Sequence, residues 1–346
     1  MNPNDDCWNH GTSSGAIIAG NGNLGNAYRG ATAITLDSWK VYPTTTDANG
    51  ACTGGLDAAA AVRGFEAAVA AIDRVIVAEM QGVEDETGVI SSAADKAFEA
   101  GAVVIAANGN FGPGDGSVRA PAKAHMVIGV GDFNVASGAQ IGSQGRGPTA
   151  DGRYKPDIQA PTESETASNA SDTALRVFNG TSGATPYAGA VAALLRNWLR
   201  GGTGSIDPGQ VYAHLILIGQ TPWPFNNTSG AGKLRMPTNG LSWWGKVKVA
   251  DGATIDIPIT VADAGGAGVD AALWWPEMAT QQHNDVDVAL VRPDGTEAAS
   301  SLSTVSVFER ARASGAVPAG LWHVSVRGFH VPVGPQTVYW AARWAR

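Results

Sequence analysis

Between residues 56 and 133 the chain alternates between two periodicities, and this limits its fold more than any other feature. Leu56 to Ile72 is Ala-rich with apolar positions at helical spacing, and Val75-Ile76-Val77-Ala78 is a short β-branched run. Ser91 to Ala100 reads as helix, Ala102 to Ala106 as a buried strand and Met126 to Val130 as another. Strand, helix, strand in this rhythm predicts a parallel sheet with helices on its faces, an α/β fold. Ligand sites in such sheets lie beyond the carboxyl ends of the strands. That directs attention to Glu79-Met80-Gln81-Gly82 and to Asn108-Gly109-Asn110, which follow two of them. A long apolar helix is predicted from about Ser182 to Leu199, with Ala188, Val191, Ala192, Leu195 and Trp198 at core spacing and Pro186 in its first turn.

Beyond about residue 240 the pattern changes. Thr254 to Val261, Asp285 to Val291, Leu321 to Val326 and Gln336 to Trp344 are alternating or β-branched runs, punctuated by Asp294-Gly295, Ala319-Gly320 and Gly334-Pro335. Residues 241–346 are therefore expected to form an all-β domain, a sandwich or jelly roll, after an α/β domain of residues 1–240. Many of the 11 tryptophans fall in the second part. They read as core packing, with a carbohydrate-stacking face as the functional alternative.

Composition narrows the function classes. The balance of 23 Lys+Arg against 31 Asp+Glu gives a net charge of −8. With no Lys/Arg-rich run, this argues against nucleic acid or an anionic membrane as partner. No apolar run is long enough to span a bilayer. The opening Met1-Asn2-Pro3-Asn4-Asp5-Asp6-Cys7 shows neither the basic start nor the apolar stretch of a secretory signal. Cys7 and Cys52 are the only cysteines, too few for a thiolate metal site and without redox spacing. Either they form a disulfide, worth at most about 4 kcal/mol by chain entropy, or they are two unrelated buried thiols.

Three segments carry chemistry. Asn9-His10-Gly11-Thr12 puts a histidine at the head of a small-residue helix. Ala106-Ala107-Asn108-Gly109-Asn110-Phe111-Gly112-Pro113 leaves a buried strand for a Gly-rich loop. Asn179-Gly180-Thr181-Ser182-Gly183-Ala184-Thr185-Pro186 opens the long helix with a serine, where unpaired amides and the helix dipole stabilise negative charge. Each alone has a plain structural reading, the histidine as a structural residue, the asparagine as turn chemistry, the serine as an N-cap. Their order, His10, Asn110, Ser182, is more informative. These blocks resemble, residue for residue, the signature blocks of the subtilisin-like serine proteases. The resemblance continues through 143–153 and 155–161, and into Asn284-Asp285-Val286-Asp287-Val288 and 331–336. Those later blocks resemble the alkaline secreted bacterial branch with a C-terminal β-sandwich.

The resemblance implies a subtilisin-like three-layer domain followed by a β-sandwich, and a serine endopeptidase acting on proteins or peptides. Ser182 would be nucleophile, His10 general base and acid, and Asn110 an oxyanion donor together with the Ser182 amide. Gly180 and Thr181 would border the substrate with Ala107, Asn108 and Gly109. Glu79, Met80, Gln81 and Gly82 would border the primary specificity pocket. There an inward Glu79 would favour a basic side chain, and an outward one is the preferred reading, a solvated strand end. The resemblance also implies a secreted protein, expected to be monomeric. No cofactor is needed for the chemistry; the resemblance allows structural calcium, but no Asp-rich loop with ligand spacing is evident, and Asp285 and Asp287 are either ligands or surface positions.

One element of the family pattern is not matched. Subtilases order their triad Asp, His, Ser, and only Asp5 and Asp6 precede His10. The expectation is a chain that begins downstream of the aspartate's strand, an impaired protease. The rival is an inactive subtilase fold serving as a peptide-binding or structural module.

Overall fold

The computed structural model describes residues 7–31, 34–49, 51–203, 206–237 and 239–345. Its elements run α1 (His10–Ala19), β1 (Thr44–Thr46), β2 (Cys52–Gly54), α2 (Ala58–Ala70), β3 (Val75–Ala78), α3 (Val89–Glu99), β4 (Val103–Ala107), β5 (Ile128–Asn134) and β6 (Ile158–Thr162). The hairpin β7 (Ser164–Ala167) and β8 (Leu175–Phe178) leads into α4 (Gly180–Thr203) and α5 (Pro208–Leu217). Then come β9 (Leu241–Val249), β10 (Thr254–Val261), β11 (Gly268–Trp274), β12 (Asp285–Val291), β13 (Glu297–Ser301), β14 (Phe308–Ser314), β15 (Gly320–His330) and β16 (Gln336–Ala345).

Strands β3, β4, β5 and β6 lie side by side in that order, all parallel. Every residue of β4 is buried, as befits a strand covered on both faces. Helix α4 lies against all four strands, so close at Gly189 that a Cβ there would meet Val77 Cγ2 at 2.4 Å. Helices α3 and α5 meet through the stacked rings of Phe98 and Tyr212. The Tyr212 hydroxyl accepts the Val104 N–H at 2.8 Å and sits 3.0 Å from Met126 O, fastening α5 to β4 and to the segment entering β5. Between β5 and β6 the buried Lys155–Asp157 pair, 2.5 Å apart, also takes the Gly129 amide and Val127 carbonyl.

Helix α4 starts before its predicted position, so Pro186 lies beyond the first turn. The earlier start has a cause outside the helix, since Asn110 Oδ1 accepts the Thr181 N–H at 2.9 Å and so caps the added turn. Cys7 and Cys52 are joined in a disulfide with Cα atoms 5.5 Å apart.

The later strands form two antiparallel sheets, β10-β15-β12-β13 and β14-β11-β16-β9. Trp275, Trp322, Trp340 and Trp344 fill the space between them. The outer face of the second sheet packs on the α/β part, since Ala272, Trp274, Phe308 and Ala341 share one apolar cluster with β4 and α5. There Arg310 donates Nε–H to Leu217 O (3.2 Å) and reaches Asp270, which is fully buried and also holds Arg343. Trp274, Trp275, Trp322, Trp340 and Trp344 are buried as packing and Trp243 and Trp244 half-buried, in keeping with the core-packing reading of these tryptophans.

Asp132, in β5, is fully buried, and neither carboxylate oxygen has a hydrogen-bond partner among the described residues. Burial pushes its carboxyl up to about 7. The folded state therefore keeps this proton while the unfolded chain, at 3.8, gives it up. Stability falls as pH climbs from about 4 to 7. Asp132→Asn is expected to raise the melting temperature relative to the parent at pH 8 by a stabilisation on the order of 2–4 kcal/mol. At pH 4 the two should melt together. A parent and variant differing equally at both pH values would refute the assignment.

Candidate active site

Histidine is placed first by the fold. Helix α1 is docked on β7 by its own side chains. Ser13 Oγ bonds Ala167 O at 3.0 Å, and Thr166 Oγ1 donates to Ser13 O at 3.1 Å. Asn9, left-handed at φ 59° before the helix, donates to Ser168 Oγ (2.7 Å) and accepts the Asn169 N–H (2.8 Å). These bonds hold the head of α1 against the hairpin that feeds α4. The His10 ring accordingly lies edge-on to Phe178, 5.0 Å between centroids, four residues before Ser182.

Glu79 is the largest departure from expectation. It is not a solvated strand end. Its side chain is 11% exposed, and Oε2 sits 3.1 Å from His10 Nδ1 and 2.5 Å from Ser14 Oγ. The reason is strand parity. Side chains of a strand alternate between faces, Val77 faces α4 at Gly189, and Glu79 continues on Val77's side. Met80 takes the other side and is buried in the core. Gln81 Oε1 accepts the Asn110 N–H at 2.9 Å, and the Gln81 N–H reaches Tyr42 Oη at 3.3 Å. Gly82 pairs with Ala120 in a bridge. The segment expected to border only the specificity pocket thus contacts both the histidine and the asparagine. Asp5 and Asp6 lie outside the described residues.

Asn110 is oriented by its neighbours. Oδ1 accepts from Thr181 N at 2.9 Å and Oγ1 at 3.0 Å. A backbone amide can only donate, so the oxygen faces Thr181 and Nδ2 turns away from it, available to a ligand oxygen. Gly180 has φ +68°, and a Cβ there would strike the Asn110 amide at 2.9 Å. Only glycine fits that approach. Thr181 Oγ1 also takes the Gly109 N–H at 3.2 Å. Asn108 and Ala107 are both fully buried, with Asn108 bonded to Gly145 O and Val130 O. Of the first amides of α4, Thr181's goes to Asn110 and Gly183's to Asn179 O at 3.1 Å. Ser182, 5% exposed, lies between them in the turn whose amides lack intrahelical acceptors. A Cβ at Gly183 would meet Thr162 Oγ1 at 2.6 Å and Phe178 O at 2.9 Å, which explains the small residue after the serine.

Asp285 and Asp287, read as either calcium ligands or surface positions, are both buried. Burial and the neighbouring Asp285 raise the Asp287 carboxyl to about 6. Among the described residues no three His, Cys, Asp or Glu side chains converge as metal ligands. No helix is long and apolar enough to cross a membrane among the described residues.

The arrangement brings a carboxylate–imidazole pair, a helix-opening serine and an oriented amide to one end of a parallel sheet. A family model described as the subtilase family matches residues 1–216. Three solved structures are similar in fold. Sphericase is 19% identical with TM-score 0.52, covering 66% of this chain and 77% of that one. A psychrophilic protease designated S41 is 22% identical with TM-score 0.52 and the same coverages. The prenylagaramide maturation protease PagA is 23% identical with TM-score 0.51, covering 66% and 79%.

Proposed function

This chain belongs to the subtilase family of serine peptidases, and from that premise we propose an endopeptidase whose nucleophile is Ser182, whose base is His10 and whose base is oriented by Glu79. The observation that carries the reading is the Glu79–His10 pair beside the turn that presents Ser182. A carboxylate on Nδ1 accepts that nitrogen's proton-bearing side and makes Nε2 the basic atom. Ser182 Oγ attacks the peptide carbonyl as His10 Nε2 takes its proton. The oxyanion is received by Asn110 Nδ2 and the Ser182 amide. Collapse breaks the C–N bond, the leaving amine takes the proton from His10, and water then releases the acyl group by the same steps. We read residues 1–240 as the peptidase unit and 241–346 as a sandwich braced against α5. We place the protein outside the cell, where a Cys7–Cys52 disulfide persists.

The test is covalent labelling. A fluorophosphonate should add to Ser182, located by peptide mass spectrometry, and not to Ser182→Ala. Folded protein that takes no label would favour the rival, a peptide-binding module. The oxyanion assignment has its own measure. Asn110→Ala should lower kcat by about 10² to 10³ with KM little changed. A loss confined to KM would mean that Asn110 only binds the ground state.

A further inference from the structure

We propose that Arg119 makes this site selective for substrates with an acidic side chain at the residue whose carbonyl is attacked. The inference deepens the peptidase reading above and rests on it. An inward Glu79 would have favoured a basic side chain, but its carboxylate is engaged by His10 and Ser14. The charge left beside the oxyanion position has the opposite sign.

The geometry starts from Asn110. If its amide receives the oxyanion, the reacting carbonyl carbon lies within about 3–4 Å of it. The side chain of that residue branches from the adjacent carbon, so it meets whatever flanks Asn110 on the same loop. Gly109 and Phe111 flank it in sequence, and Arg119 lies across them. The Arg119 N–H donates to Asn108 O at 3.0 Å. Its Cγ would be 2.8 Å from a Cβ built on Gly109, so the side chain runs over the bare face of that glycine. Its guanidinium carbon sits 4.1 Å from the centroid of the Phe111 ring, which is 54% exposed. The next residue, Ala120, bridges Gly82, so the segments after β3 and β4 run side by side here.

Among the described residues the guanidinium has no counter-ion. Its Nε is buried with no hydrogen-bond partner among them. A half-buried cation lacking both is incomplete, and a planar donor fork stacked on an aromatic ring suits a carboxylate better than any neutral group. A Glu or Asp side chain completes it. Lys and Arg side chains are repelled, and apolar ones leave the Nε unpaired, so selectivity arises from rejection as well as attraction.

The experiment compares succinyl-Ala-Ala-Pro-X p-nitroanilides with X as Glu, Asp, Leu and Lys, on the full chain and on Arg119→Gln and Arg119→Glu. The expected result is a kcat/KM for Glu or Asp about 10- to 100-fold above that for Leu. That preference should vanish in Arg119→Gln and turn toward Lys in Arg119→Glu, with fluorophosphonate labelling of Ser182 retained in both. Turnover in which Leu matches or exceeds Glu, or a preference unmoved by Arg119→Gln, overturns the proposal and leaves the peptidase reading intact. Absence of both turnover and label overturns the peptidase reading. In that event equilibrium binding of acetyl-Ala-Ala-Pro-Glu-amide against its Leu counterpart decides. Tighter binding of Glu that Arg119→Gln abolishes sustains the Arg119 assignment, and equal binding removes it.

Discussion

Ser182→Ala should lower kcat on peptide substrates by about 10⁶-fold, a scale set by this catalytic class and not by the distances here. The size follows from what the hydroxyl does. Without it no acyl-enzyme forms, the histidine has no proton to take, and only the oxyanion donors and substrate binding still lower the barrier. For the same reason the losses should not add. His10→Ala should be of similar size, and the double variant hardly worse than either single one. Ser182 is 5% exposed at the start of a buried helix, and alanine removes one oxygen there without opening a larger void, so KM and melting temperature should barely move. The check is kcat with circular dichroism on each variant. A Ser182→Ala protein keeping more than about one hundredth of the parent rate would place the nucleophile elsewhere.

Glu79→Gln should reduce kcat by about 10⁴-fold, again with little change in KM. The carboxylate 3.1 Å from His10 Nδ1 can only accept a hydrogen bond when ionised. A glutamine can present its NH₂ instead, which makes Nδ1 the acceptor and puts the ring proton on Nε2, where it blocks proton abstraction. Loss of the negative charge also removes what stabilises the imidazolium formed during reaction. Its second signature is in the pH profile. An adjacent carboxylate raises an imidazole's pKa, so removing it should move the acid limb of the kcat profile to lower pH. A side chain that merely packed against α1 would change neither the limb nor kcat separately from stability. If Glu79→Gln keeps the parent's rate and profile, another group orients His10, and the pair has no part in catalysis.

Legibility in the sequence followed the kind of burial each element has. The strand–helix alternation from 56 to 133 is readable because periodicity is local, and α2, α3 and β3 to β5 lie close to the expected ranges. Strands β10, β12, β15 and β16 were found because alternation or β-branching marks them. Strand β11, buried at every residue, was missed because its second face is covered by α5, which erases the alternation that would reveal it. Strand β14, FERARAS, was missed because its charges look solvent-facing, whereas Glu309 and Arg310 are buried. Arg310 is held by Asp270 on the neighbouring strand, and no local pattern predicts such a pair.

The candidate site divides the same way. His10, Asn110 and Ser182 were named from sequence because each sits in a block whose neighbours are dictated by close backbone approach, as the glycine at 180 shows. The inward position of Glu79, the bond from Asn110 to Gln81 and the position of Arg119 are not legible in the sequence. Their importance depends on where a strand end points and on which loop crosses which, over separations of 69, 29 and about 10 residues. By itself the sequence determined the side chains available, His10, Asn110 and Ser182 in their blocks on an α/β frame. Only the tertiary structure decided which carboxylate meets His10 and that Arg119 lies over Gly109 and Phe111. Side-chain chemistry is written in each residue, but the sign of the field at a point is a sum over residues that only folding brings together.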